Sequence, residues 1–528
     1  MNWLDWTVVG VYMAFLIGLG LFLSLRQKDI EDYYLASGKM NWLFAGVSIM
    51  ATQLGAISLI SAPAFVAIKE GGGLKWLCYE LGVPPAMLFT MIFLAPVYYN
   101  SKAITIYELL EGRFDAPTRL VVSLLFQISR GLATSVSVLA IGIVISTALG
   151  LPLWLAIVGM GTVTLIYDAL GGIRVVIISD VVQMGIIFLG IFICGAFAYH
   201  FAGGWGEVNA YFDKERFLIL DFSGLGWGKE EEYSFWPMTF GGFFLYIAYY
   251  GCDQSQVQRQ LTVGSLEEMK KSLLFNAFGR FPVVVLYCFL GVFVGTLAMK
   301  SPEFMASISA DYSDRMIPTF ILNYLPHGLI GLIFTALFAA SMSTLDSAIN
   351  SMSAATMRDL YQRYLKKDET DRHALIVSKL FTVFWGGFCI VFALIFAGTA
   401  RTTIELINLV SSIFYGPIFA VFFLGLLTRW AVPLGVKVGL PLGVVLNICL
   451  WWFTPLSWLW WNITGFAATF LTAYAISSFF PRKDTQPPPI TRGTIISSHQ
   501  RWLFWYISVV AYFLAIIGLC FVIQLLCT

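Results

Sequence analysis

The stretch "FAASMSTLDSAINSMSA", Phe338 to Ala354, carries hydroxyl, carboxylate or carboxamide side chains at eight of its seventeen positions. It follows the apolar run "GLIGLIFTAL" with no turn signal between them, so both belong to one helix. At 3.6 residues per turn, Ala340, Ser343, Thr344, Ser347 and Ser351 fall at i, i+3, i+4, i+7 and i+11, a single stripe, with Asp346 and Asn350 beside it. Such a stripe turns several oxygens toward one neighbour, which a small, hard cation needs when it sheds its water. The structural alternative for Ser343 and Thr344 is back-bonding to the preceding turn, common for hydroxyls in apolar helices.

A second source of oxygens lies at 42–68, "WLFAGVSIMATQLGAISLISAPAFVAI". Its middle holds Thr52, Gln53, Gly55, Ser58 and Ser61 ahead of Pro63, a poor composition for an unbroken helix facing lipid. If the helix unwinds near Gly55, the carbonyls of Ala51 and Leu54 lose their intrahelical partners and become free to hold an ion. A mostly neutral cage of carbonyl and hydroxyl oxygens suits sodium. A proton would instead ride on an ionisable carboxylate, and Asp180 and Asp346 keep proton coupling open as the lesser alternative.

These residues need elements that cross a membrane. The chain has 528 residues, 58% hydrophobic and 12% charged, with a mean hydropathy of +0.79. That excludes a soluble globular domain and predicts an all-α polytopic membrane protein forming one transmembrane domain over 1–528. Fourteen runs are long enough to span about 30 Å of hydrocarbon: 5–25, 42–68, 80–99, 119–149, 152–169, 175–202, 235–252, 274–299, 328–357, 375–397, 403–427, 434–454, 456–480 and 503–526. The first lacks a basic lead and a small-residue cleavage site and reads as a retained span. Placing the N-terminus outside puts about 20 Lys and Arg in the inner connections and about 8 in the outer ones. The positive-inside bias therefore predicts both termini outside a plasma membrane, with the short loops pointing to a bacterial inner membrane.

The net charge of +1 points to no charged partner and no nucleic acid. Eight scattered cysteines and four histidines form neither a metal spacing nor a disulfide framework, so no enzymatic activity is expected.

Two spans read as interrupted: the second, described above, and the seventh, "FWPMTFGGFFLYIAYYGCDQSQVQRQL", with Gly241-Gly242 and a polar end. They occupy matching places in two five-span blocks, 42–202 and 235–427. An odd number of spans per block inverts one against the other, the plan of an inverted-repeat transporter with its site near the midplane. Ordinary close helix packing through small residues is the plainer reading of the same glycines.

The segments "SIMATQLGAISLISAP", "LGGIRVVIISDVVQ" (170–183), "DQSQVQRQLT" (253–262) and "AASMSTLDSAINS" (339–351) together resemble the sodium/solute symporter family, whose members carry sugars, proline, iodide, monocarboxylates, vitamins and sialic acids. The resemblance covers essentially the whole chain. It implies a leucine-transporter-like core of two inverted five-helix repeats, with an extra helix at 5–25 and three more at 434–526, working by alternating access on an inward sodium gradient.

It also implies a common sodium site at Ala51, Leu54, Ala340, Ser343 and Thr344, the positions the stripe and the broken span nominate. As in sialic-acid transporters, a second sodium would fall on Asp180, Ser343, Asp346 and Ser347, although Asp346 stands where those proteins have serine. Gln53, Gly55 and Ser58 match positions that face the solute, and Arg130 in "QISRGLATS" matches an arginine that grips a carboxylate. Arg130 lies about ten residues into its span, where a charge needs a task or a partner. A bidentate guanidinium suits an anionic solute, and Glu80, Asp168 or snorkelling to an interface supply the internal alternatives.

Gln53 and Gly55 themselves depart from the sialic-acid pattern, and "DQSQ" lacks the tyrosine gate of bacterial sugar symporters, although Tyr249 and Tyr250 are near. The expectation is a sodium symporter, working as a monomer, that imports a carboxylate-bearing solute such as a sialic acid or monocarboxylate with one or two Na+. A sodium/sugar symporter is the rival within the fold. A sodium-sensing or channel-like membrane protein without coupled transport is the rival outside it.

Overall fold

The computed structural model describes residues 1–24, 30–170, 172–308, 313–365, 370–398, 402–480 and 492–527. The main helices are α1 (Trp3–Ser24), α2 (Trp42–Gln53), α3 (Ala56–Ala67), α4 (Trp76–Ser101, a run of short helices), α5 (Ala116–Leu149), α6 (Leu153–Leu170), α7 (Ile173–Ala202), α8 (Gly242–Cys252), α9 (Gln254–Gln260), α10 (Leu266–Lys300), α11 (Leu329–Ala355), α12 (Asp371–Phe396), α13 (Thr403–Leu427), α14 (Pro433–Phe453), α15 (Trp461–Phe479) and α16 (Arg492–Cys527). Each of the fourteen apolar runs coincides with helix among the described residues. Among the described residues, nine helices are long and apolar enough to cross a membrane, ten if the bent pair α2 and α3 counts as one span.

Helix α11 sits at the centre. It packs against α1, α2, α5, α7, α9 and α12, and nearly its whole length is buried. Its polar row therefore meets protein on every side and never lipid, which is what makes eight polar side chains tolerable in hydrocarbon. Helices α12, α14 and α16 are far more exposed and form part of the outer wall.

The break between α2 and α3 lies where the sequence predicts it. Leu54 has φ −83°, ψ 54°, Gly55 has φ −68°, ψ 177°, and the two halves diverge by 50°. A Cβ on Gly55 would stand 2.6 Å from Thr344 Oγ1, so the close approach of the break to α11 requires glycine.

The interruption of the seventh span differs from the expectation. It falls at Asp253 (φ −95°, ψ 119°), between α8 and α9, and not at Gly241-Gly242. Those glycines sit in helical backbone and serve contact: a Cβ on Gly241 would lie 2.4 Å from the Leu459 carbonyl, and one on Gly242 2.9 Å from that of Tyr79. Asp253 can end α8 because its side chain caps α9, accepting from Ser255 N at 2.8 Å.

Candidate ion and solute site

Helix α2 ends with carbonyls beyond its own hydrogen-bond ladder. That of Thr52 faces Thr344 Oγ1 of α11 at 3.0 Å, and the same hydroxyl lies 3.3 Å from the Ala340 carbonyl. Ala51, Leu54, Ala340, Ser343 and Thr344 are all buried where α2, its break and α11 meet. Thr344 thus both back-bonds and bridges to the broken helix.

The rest of the stripe divides. Ser347 back-bonds to the Ser343 carbonyl at 2.5 Å and Ser351 to that of Ala348 at 2.8 Å. Ser343 instead donates across to Asp180 Oδ1 of α7 at 2.5 Å. Asp180, fully buried, also accepts from Ser48 of α2.

Sequence reasoning missed the residue that organises this knot. Arg259 of α9, also fully buried, donates to Ser48 Oγ at 2.8 Å, to the Ser255 carbonyl at 2.5 Å and to Ser347 Oγ, with its Nε 3.7 Å from Asp180 Oδ2. A guanidinium here offsets the carboxylate charge and uses up hydroxyls in its fixed fork geometry. The one signal in the sequence was a basic residue inside "DQSQVQRQ", which composition alone assigns to a loop.

Asp346 lies on another face. It is one turn beyond Met342, which with Ala339 packs against Tyr12 and Leu16 of α1. Its expected neighbour Asn350 accepts from Gln258 Nε2 at 3.0 Å.

Beside the break a cavity is lined by residues including Gln53, Gly55, Ser58, Arg130 and Thr344, so the four expected solute residues share one space. Gln53 Oε1 accepts from Tyr250 OH, and Ser58 Oγ lies 3.4 Å from the Gln53 carbonyl. Arg130 Nη1 is 3.6 Å from Asp253 Oδ2, with the guanidinium 5.6 Å from the centre of the Tyr249 ring. Asp253 is further held by Tyr415 OH at 2.9 Å. The Nε of Arg130 is buried without a hydrogen-bond partner among the described residues.

The internal partner found for Arg130 is Asp253 and not Glu80. Glu80 pairs instead with Arg280 of α10 through two contacts of 3.2 Å, and the Asp168 side chain lies outside the described residues. The Glu80–Arg280 pair also lines the cavity, as do Tyr79 and Asn408, which share a 3.0 Å hydrogen bond. Nothing in the linear sequence marked these as neighbours of Gln53.

A bent helix whose end carbonyls meet hydroxyls of a buried partner helix, next to a polar cavity deep in the bundle, defines a secondary transporter of leucine-transporter-like fold. The sodium:solute symporter family profile matches residues 33–472, and the chain belongs to that family. It is an integral membrane, sodium-coupled solute symporter.

Among its relatives, the human sodium/iodide cotransporter is 26% identical over 456 residues, covering 84% of this chain and 69% of that one. The sodium/sialic acid symporter SiaT of Proteus mirabilis is 26% identical over 476 residues, 88% of this chain and 92% of that one. The Vibrio parahaemolyticus sodium/glucose cotransporter is 27% identical over 494 residues, 87% and 86% respectively. A substrate-bound, outward-open Na+-coupled sialic acid symporter structure superposes with a TM-score of 0.77 at 23% identity, covering 92% of this chain and all of the other.

Proposed function

We propose that this symporter imports a small carboxylate-bearing organic solute, such as a sialic acid or monocarboxylate, across a bacterial inner membrane, with both termini outside. The observation that carries this reading is Arg130: a buried guanidinium on the solute cavity, held loosely at 3.6 Å by one internal carboxylate, with its Nε unpartnered among the described residues. A solute carboxylate arriving there gains charge-assisted hydrogen bonds that Asp253 leaves open.

Sodium would bind between Ala51 and Leu54 of the break and Ala340, Ser343 and Thr344 of α11. By bridging the two helices it would favour the outward-facing state, and solute on Gln53, Gly55, Ser58 and Arg130 would permit closure. Coupling then requires that each ligand bind more tightly when the other is present. A second sodium at Asp180, Ser343, Asp346 and Ser347 has to displace the Arg259 contacts to Ser347, and one coupling ion is the simpler stoichiometry.

The rival solute, a neutral sugar, draws support from the Glu80–Arg280 pair on the cavity wall, which offers hydroxyl groups both an acceptor and donors. Sodium-driven uptake in proteoliposomes separates the two, using a panel of sialic acids, monocarboxylates, sugars and amino acids. Faster entry of an acid under an inward sodium gradient supports the proposal; gradient-driven entry of sugars alone replaces it with the rival.

A further inference from the structure

On the outer wall a groove opens between Trp42 at the start of α2, Leu274 and Phe278 of α10, and Trp502 and Trp505 of α16, with Lys271 on its rim. Beside it Lys270 Nζ lies 3.0 Å from Tyr506 OH and 5.5 Å from the Trp502 ring centre. Arg501 precedes Trp502 and is exposed. Indole and phenol rings with lysines at helix starts mark the depth at which lipid headgroups meet hydrocarbon. This belt is concave, apolar within and basic at its mouth, so it is shaped to receive an acyl chain whose headgroup is negative. The Lys271–Glu267 contact of 2.9 Å joins two half-exposed side chains, and such a pair yields readily to a competing phosphate.

We propose that this groove binds an anionic glycerophospholipid, with an acyl chain against Leu274, Phe278 and Trp505 and the phosphate between Lys271 and Arg501. The lipid would tie the peripheral α16 to the start of α10 and α2.

Native mass spectrometry of the purified full chain tests this with phosphatidylglycerol, phosphatidylcholine and soluble glycerol phosphate. Phosphatidylglycerol should stay bound under activation that strips phosphatidylcholine. Lys271→Ala and Arg501→Ala should each reduce its retention about fivefold, and Leu274→Trp, which fills the groove, should abolish it. Equal retention of the two lipids, full retention in the Leu274→Trp variant, or displacement of the lipid by glycerol phosphate would each overturn the proposal.

Discussion

Ser343 and Thr344 are neighbours in sequence with different tasks in space. Thr344 reaches the broken end of α2, whereas Ser343 reaches Asp180 on α7. Replacing both by alanine removes two of the five oxygens proposed for sodium, and uptake by the double variant should lose its dependence on external sodium. Uptake that keeps the same sodium dependence would move the ion elsewhere. For Arg130→Lys, a point charge replaces a planar fork, so the half-saturation for a transported acid should rise at least tenfold while sodium affinity changes little; an unchanged half-saturation would make Arg130 structural. Arg259→Met should be costlier still, because it strands Asp180 buried and unpaired. Losing one member of such a pair costs about 3–5 kcal/mol, to be read as a fall in melting temperature, and Asp180→Asn in the same chain should restore much of it.

At the scale of elements, two breaks create the site, and each is held by a different device. The first depends on Gly55 lying against Thr344; Gly55→Ala forces that hydroxyl aside and should weaken sodium activation more than it weakens folding, measured as a rise in the sodium concentration for half-maximal uptake. The second depends on Asp253, which caps α9 and faces Arg130 at once. Gly241 tests the packing role of the neighbouring glycines: a methyl group 2.4 Å from the Leu459 carbonyl should destabilise the protein by about 1–3 kcal/mol. A Gly241→Ala variant with wild-type thermal stability would show that this contact relaxes freely.

Across the whole molecule, buried charge is paired between distant helices: Arg130 with Asp253, Arg259 with Asp180, Arg280 with Glu80, and Arg119 with Asp359 at 2.6 Å. Charges withdrawn from both water and lipid need such partners. The pairs join α5 to the α8–α9 break, α9 to α7, α10 to α4, and α5 to the segment after α11, so movement of one part of the bundle must exchange these contacts. Transport should accordingly require an intact sodium gradient, with uptake in proteoliposomes ceasing when an ionophore equalises sodium on the two sides. Continued accumulation against the solute gradient would point to protons as the driving ion.

The sequence by itself determined the membrane class, the helical runs, the break at Gly55 and the stripe on α11, because hydropathy and a period of 3.6 are local properties of a chain in hydrocarbon. Gln53, Ser58, Ser343 and Thr344 were legible for the same reason: polar atoms are conspicuous where lipid should allow none. Only the tertiary structure decided that Asp253, not Glu80, faces Arg130, that Arg259 stands among the oxygens of Asp180, Ser48 and Ser347, and that Asp346 lies on the side toward α1. Those pairings join residues on separate helices, and they follow from how the helices rotate and cross, which no local pattern encodes.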